Sequence, residues 1–156
     1  MLELQSPRRK TPQVRILLAE DDAVSQFLVK RYLEKFGYTV VCVEDGQSVL
    51  EALEKERFEC VLMDIRMPEM DGLEATRRIR GADSPAIDSD IPIIALTGYA
   101  MKGDRERFMD AGMDGYLSKP IELDELAGAI VRFVLEPKTR GTWNHDPEPC
   151  FMVADL

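Results

Sequence analysis

Five short apolar runs, each followed by residues at helical spacing, constrain the fold of this chain more than any other feature. They lie at Val14 to Ala19, Val40 to Val43, Cys60 to Met63, Ile91 to Leu96 and Gly115 to Leu117. The central run stands inside CVLMDIRMPEMDG, Cys60 to Gly72, and is closed at once by Asp64, Pro68, Asp71 and Gly72. A run that is apolar at successive positions and bounded by turn formers reads as a strand buried on both faces, as parallel sheets require.

The stretches between the runs read as helices. Val24, Leu28, Tyr32 and Phe36 recur at helical spacing until Gly37 supplies a stop, and Val49, Leu50 and Leu53 mark a second helix. A third spans about Asp71 to Arg80, and a fourth about Met101 to Ala111, ending at Gly112. In the last, Leu123, Leu126, Ala127, Ile130, Val131 and Val134 make one apolar stripe before Pro137. Gly81 to Asp90, with Pro85, reads as a surface loop, and Pro92 is tolerable near the start of its strand. Five βα units joined by right-handed crossovers give an α/β fold, a doubly wound parallel sheet with helices on both faces.

At 156 residues one domain is expected, and it is assigned to residues 14–136. Residues 1–13 hold two prolines and the cluster Arg8, Arg9 and Lys10, and read as a flexible arm or linker. Residues 137–156, where Trp143, His145 and Phe151 are scattered among prolines and polar residues, read as a tail or linker. The net charge of -9 argues against a nucleic-acid surface. No apolar stretch reaches the roughly 18 residues of a membrane span, and no signal peptide opens the chain, so a cytoplasmic protein without membrane contact is expected. Cys42, Cys60 and Cys150 fit no metal motif and read as reduced, structural thiols.

The chemistry emerges at the strand ends. In an open α/β sheet ligands bind beyond the carboxyl ends of the strands. Glu20 and Asp21 follow the first run, Asp64 the third, Thr97 the fourth and Lys119 the fifth, whereas the second contributes nothing comparable. Singly, each has a duller reading: a lone Lys or Thr there is commonly solvated, and Glu20 to Asp22 could cap the first helix. Jointly they describe a crevice. Crowded carboxylates repel one another, and a hard divalent cation, Mg2+ or Mn2+, relieves that while leaving positions for a phosphoryl oxygen. Lys119 and the Thr97 hydroxyl would complete a clamp around phosphate.

These residues resemble the receiver domain of two-component response regulators. LLAED is similar to the family's acidic strand end, MDIRMPEMDG to its phosphoacceptor loop, IIALTGYA to its switch strand and GYLSKP to its lysine-proline turn, and in detail they most resemble receivers of hybrid sensor histidine kinases. The resemblance covers about Gln13 to Glu136 and implies a flavodoxin-like (βα)5 fold with strand order 2-1-3-4-5. It further implies that Asp64 accepts a phosphoryl group from a histidine of a sensor histidine kinase or phosphotransfer protein, making the domain a signalling switch and not an enzyme. By the same resemblance Glu20, Asp21, Asp64 and the Arg66 main-chain carbonyl hold magnesium, Thr97 and Lys119 bind phosphoryl oxygens, and Thr97 and Tyr116 act as the switch. Arg66, Gly98 and Tyr99 would flank the path of hydrolytic water, and Lys119–Pro120 would be a cis peptide. The fourth and fifth helices and the fifth strand would carry the output and, where it occurs, a dimer contact. The family has two acids after its first strand, whereas this chain has three, which leaves Asp22 without an assigned role.

Two other readings share the topology. An aspartate-nucleophile phosphatase typically has a second acid two residues after its nucleophile, where this chain has Arg66. A flavin-binding module would carry a Ser/Thr/Gly-rich loop after the first strand, where this chain has Glu-Asp-Asp. A stand-alone receiver and one excised from a hybrid sensor histidine kinase remain open alternatives.

Overall fold

A computed structural model describes residues 13–98 and 103–135. Its five strands, β1 (Arg15–Ala19), β2 (Thr39–Val43), β3 (Cys60–Asp64), β4 (Ile93–Thr97) and β5 (Gly115–Ser118), form one sheet in the order β2-β1-β3-β4-β5. Every neighbouring pair is parallel. The helices are α1 (Ala23–Lys35), α2 (Gly46–Lys55), α3 (Gly72–Arg80), α4 (Asp104–Ala111) and α5 (Leu123–Ile130), the last running on into a π-helical turn, Val131–Leu135.

Strand alternation divides the core in two. Leu17, Ala19, Val61, Met63, Ile93 and Ala95 face α2, α3 and α4, whereas Ile16, Leu18, Leu62, Ile94 and Leu96 face α1 and α5. The inner strands β3 and β4 are buried at every residue, while the edge strand β2 is only half buried. The silent second strand thus lies at an edge, away from the crevice.

Three elements differ from the sequence expectation. On α1 the row Val24, Leu28 and Phe36 is exposed, and Val29 and Leu33 are the residues that pack on the sheet. Both rows are apolar at helical spacing, so periodicity cannot say which one the sheet will cover. Gly37 does end the helix, at φ 91°, with Gly37 N–H donating to Glu34 O and Tyr38 N–H to Leu33 O. The final stripe is broken by the π turn, whose wider i to i+5 spacing swings Phe133 into the core and leaves Val131 37 % exposed. Finally, β4 begins at Ile93 and not Ile91, since the Ile91 N–H bonds to Asp88 O and Pro92 has no N–H to give.

Of the thiols, Cys60 is buried and Cys42 half-buried, both free, and burial pushes both upward in pKa, away from reactivity. Cys150, Trp143 and His145 lie outside the described residues, as do both proposed linkers apart from Gln13.

Candidate functional site

Register brings the acids together. Ala19 pairs with Met63, so the residues that follow, Glu20 and Asp64, emerge abreast at the carboxyl edge of β1 and β3. One carboxylate oxygen from each of Glu20, Asp21 and Asp64 lies within 4.8 Å of the others. Glu20 and Asp64 are buried, at 2 % and 4 % exposure, and Asp21 is exposed. Asp22 lies outside this cluster: its carboxylate accepts from Ser25 N–H at 2.9 Å and caps α1, a bond that holds its carboxyl below the usual range. That is the role of the third acid in the run.

Lys119 enters from the other side. Its Nζ lies 3.0 Å from Glu20 Oε1 and 3.2 Å from Asp64 Oδ2, a single cation bridging the two buried carboxylates. Burial alone would lower this ammonium, but its bonds to Glu20 and Asp64 outweigh that and hold it above the usual lysine range. The Lys119–Pro120 peptide is cis, and Lys119 N–H donates to Thr97 O at 2.7 Å, tying the β5 end to the β4 end. Burial first, and the neighbouring Glu20 second, push the Asp64 carboxyl up to about 6, with Lys119 pulling the other way.

The loop after Asp64 is folded tightly back on the strand. Gly72 N–H donates to Ile65 O at 2.9 Å, Met70 O accepts from Gly46 N–H at 3.1 Å, and Arg66 N–H donates to Asp64 Oδ1 at 3.2 Å. A Cβ at Gly72 would run into the Asp64 carbonyl oxygen and come within 2.9 Å of Met63 Cγ. Gly72→Ala should therefore cost about 1–3 kcal/mol by forcing the loop away from the strand, read as a lower urea midpoint at unchanged slope.

Thr97 is buried at the end of β4, and with Glu20, Asp21, Asp64 and Lys119 it lines a crevice of 1030 Å³. Arg66 and Gly98 lie at its exposed rim. Tyr116 stands one strand position before Leu117, outside the crevice lining, with its ring 6.1 Å from that of Phe108. Tyr99 lies outside the described residues. Sequence reasoning missed Gln26, whose Nε2 donates to the Glu20 carbonyl at 2.6 Å, and missed Asp104, Arg107 and Phe108, which wall the crevice from α4. A helix face gives no signal of which strand end it will overhang.

This arrangement has counterparts. A sequence model of the response regulator receiver domain matches residues 16–131. The chain belongs to that family. The receiver is 40% identical over 119 residues to the sensor protein GacS of Pseudomonas syringae pv. syringae, covering 76% of this chain and 13% of that protein. It is 43% identical over 119 residues to the transcription factor SKN7 of Saccharomyces cerevisiae, covering 76% of this chain and 18% of that one. The receiver thus spans less than a fifth of the length of these curated relatives. Among solved structures it resembles the receiver domain of the sensor histidine kinase PA1611 of Pseudomonas aeruginosa PAO1, which has a magnesium ion coordinated in its active site cleft. That match has TM-score 0.72 and 39% identity, over 80% of this chain and 100% of the other. The receiver is accordingly a module of two-component signalling, and no helix among its described residues is long and apolar enough to cross a membrane.

Proposed function

We propose that this receiver is a phosphorylation-dependent switch whose Asp64 carboxylate takes a phosphoryl group from a phosphohistidine of a sensor histidine kinase or a histidine phosphotransfer protein. An Asp64 oxygen bonds to phosphorus as the P–N bond breaks, and the imidazole nitrogen keeps the electron pair. The observation that carries this reading is the cluster itself: a buried carboxylate whose oxygen is grouped with those of Glu20 and Asp21 within 4.8 Å, with an ammonium at 3.2 Å.

The donor set fits a hard divalent cation. Glu20, Asp21, Asp64 and the Arg66 main-chain carbonyl would hold Mg2+ or Mn2+, and the position between Glu20 and Asp64 already suits a cation, since Lys119 sits there. When bound, the ion supplies positive charge against the acids and polarises phosphoryl oxygens. Lys119 and the Thr97 hydroxyl bind the phosphoryl oxygens, and these groups also assist the receiver's own phosphorylation and dephosphorylation, with Arg66, Gly98 and Tyr99 set to modulate access of water.

Phosphorylation adds up to about two negative charges, draws Thr97 and Lys119 inward and biases Tyr116 between two positions. The readout is the face of α4, β5 and α5, to which Phe108 and Tyr116 belong, and it is also where a dimer would form. Val24, Phe27 and Leu28 leave apolar surface on α1 next to Asp22 at the crevice, which suits docking of the phosphohistidine-bearing partner. We assign the folded domain to residues 14–136 and place it in the cytoplasm. A receiver segment of a hybrid sensor histidine kinase is the second reading, supported by the likeness to the receiver domain of the sensor histidine kinase PA1611.

Incubation with acetyl phosphate or a phosphohistidine donor tests the function. Intact-mass analysis should show one phosphoryl adduct that requires magnesium and is absent from Asp64→Asn. Asp21→Ala should weaken magnesium binding about tenfold or more. Labelling that persists in Asp64→Asn would move the acceptor elsewhere.

A further inference from the structure

The crevice continues past Thr97 to the first turn of α4, where Asp104 and Arg107 line it. The two are paired, Arg107 Nη1 to Asp104 Oδ1 at 3.0 Å, with the Asp104 side chain 18% exposed and that of Arg107 60% exposed. Among the described ionisable residues that line the crevice, Glu20, Asp21, Asp22, Asp64, Asp71 and Asp104 are acids, and Arg66, Arg107 and Lys119 are the cations. Lys119 is engaged with Glu20 and Asp64, and Arg66 stands on the phosphoacceptor loop. Arg107 is the cation contributed by a different wall.

We propose that Arg107 is a phosphoryl-binding arm of this site, held by Asp104 until a phosphoryl group on Asp64 replaces that carboxylate as the partner of the guanidinium. The inference rests on the reading that Asp64 is phosphorylated. Three features carry it. An ion pair three residues apart on a helix, with its guanidinium in solvent, is weak, so exchanging it is easy. The guanidinium fork matches phosphoryl oxygens and meets a dianion in place of a single charge. The helix field acts in the same direction, because both residues stand near the amino end of α4, where an acid is favoured with or without its partner and a cation is not. Asp104 therefore remains stabilised after release, and Arg107 gains by reaching across the crevice. The next residue, Phe108, is buried and packs on Tyr116, so a shift of this turn is felt at the switch tyrosine.

The test is the rate of Asp64 phosphorylation by acetyl phosphate with saturating magnesium, followed by intact mass. In this step an Asp64 oxygen bonds to phosphorus as the P–O bond to acetate breaks, and acetate leaves with the electron pair. Arg107→Gln should slow labelling about threefold in the wild-type background and about tenfold in Asp104→Asn, where no carboxylate competes for the guanidinium. Arg107→Lys, which keeps the charge and loses the fork, should fall between wild type and Arg107→Gln. Equal effects of Arg107→Gln in both backgrounds would reduce Arg107 to a distant charge and overturn the proposal. An effect that vanishes in Asp104→Asn would make the pair merely structural and overturn it too, as would no effect in either background. If wild type itself takes no label at Asp64, the functional reading fails and this inference goes with it, whereas normal wild-type labelling confines any failure to Arg107.

Discussion

Replacing Asp64 by Asn should yield a protein that takes no phosphoryl group and yet unfolds at higher denaturant concentration at pH 7. Asp64 is nearly fully buried and faces the Glu20 carboxylate, and these two causes raise its carboxyl to about 6. A folded-state pKa above the unfolded value means that folding favours the protonated form. The contribution of Asp64 to stability is therefore fully present below about pH 4, the unfolded range, and is lost as pH rises through about 6. Above that, the native state holds a buried charge that the unfolded chain would solvate. Asparagine keeps the size and removes the charge. The gain should be about 1–3 kcal/mol at pH 7 without metal and should shrink toward zero below pH 4. Urea titrations of both proteins from pH 4 to 8 check the sign. A variant less stable than wild type at pH 7 would mean that the bond to Lys119 outweighs burial and repulsion. On the proposed metal assignment, the same linkage should make magnesium binding weaken as pH falls through about 6, since ligation needs the carboxylate.

The largest loss of stability should come from the opposite edge of the sheet. Arg80, at the end of α3, donates from Nε to Gly112 O at 2.8 Å, from Nη1 to Ser89 O at 2.9 Å and Ile91 O at 2.7 Å, and from Nη2 to Asp114 Oδ2 at 2.9 Å. Asp114 in turn accepts from Ile93 N–H at 2.9 Å, at the first residue of β4. One guanidinium thus joins α3, the loop before β4 and the turn before β5, and it is mostly shielded from water, with 22% of its side chain exposed. Arg80→Ala would take the guanidinium from a shielded carboxylate and remove the donor to three carbonyls at once, an expected cost of about 3–5 kcal/mol. Asp114→Asn keeps an acceptor and should cost less. Because these contacts sit at the amino ends of the strands, the folded fraction of Arg80→Ala should still accept phosphate at Asp64. A chemical denaturation curve beside a labelling assay separates the two effects, and a loss below about 1 kcal/mol would show that solvent replaces the network.

Much of the architecture was legible in the chain because strand burial writes itself as uninterrupted apolar runs. The runs at Val61 to Met63 and Ile93 to Leu96 are apolar at every position since helices cover both faces of a parallel sheet. The acids and lysine were legible for a related reason: a residue that follows such a run must emerge at the strand's carboxyl edge. Asp71 at the start of α3 and Gly37 at the end of α1 carried their own local chemistry, as cap and as left-handed turn.

What the sequence by itself determined was therefore the order of elements, their approximate limits and the kind of chemistry gathered at one edge, all of which follow from local pattern. Only the tertiary structure decided which of two apolar rows of α1 is covered, since Val24 with Leu28 and Val29 with Leu33 are equivalent until the sheet selects one. It decided that Phe133 packs inward through a π turn, that Asp22 caps a helix while Asp21 joins Glu20 and Asp64, and that Lys119 bridges two acids. It also brought Asp104 and Arg107 to the crevice and Arg80 to Asp114. Each of these depends on the relative placement of segments far apart in sequence, a quantity set by packing that leaves no mark on the spacing of residues along the chain.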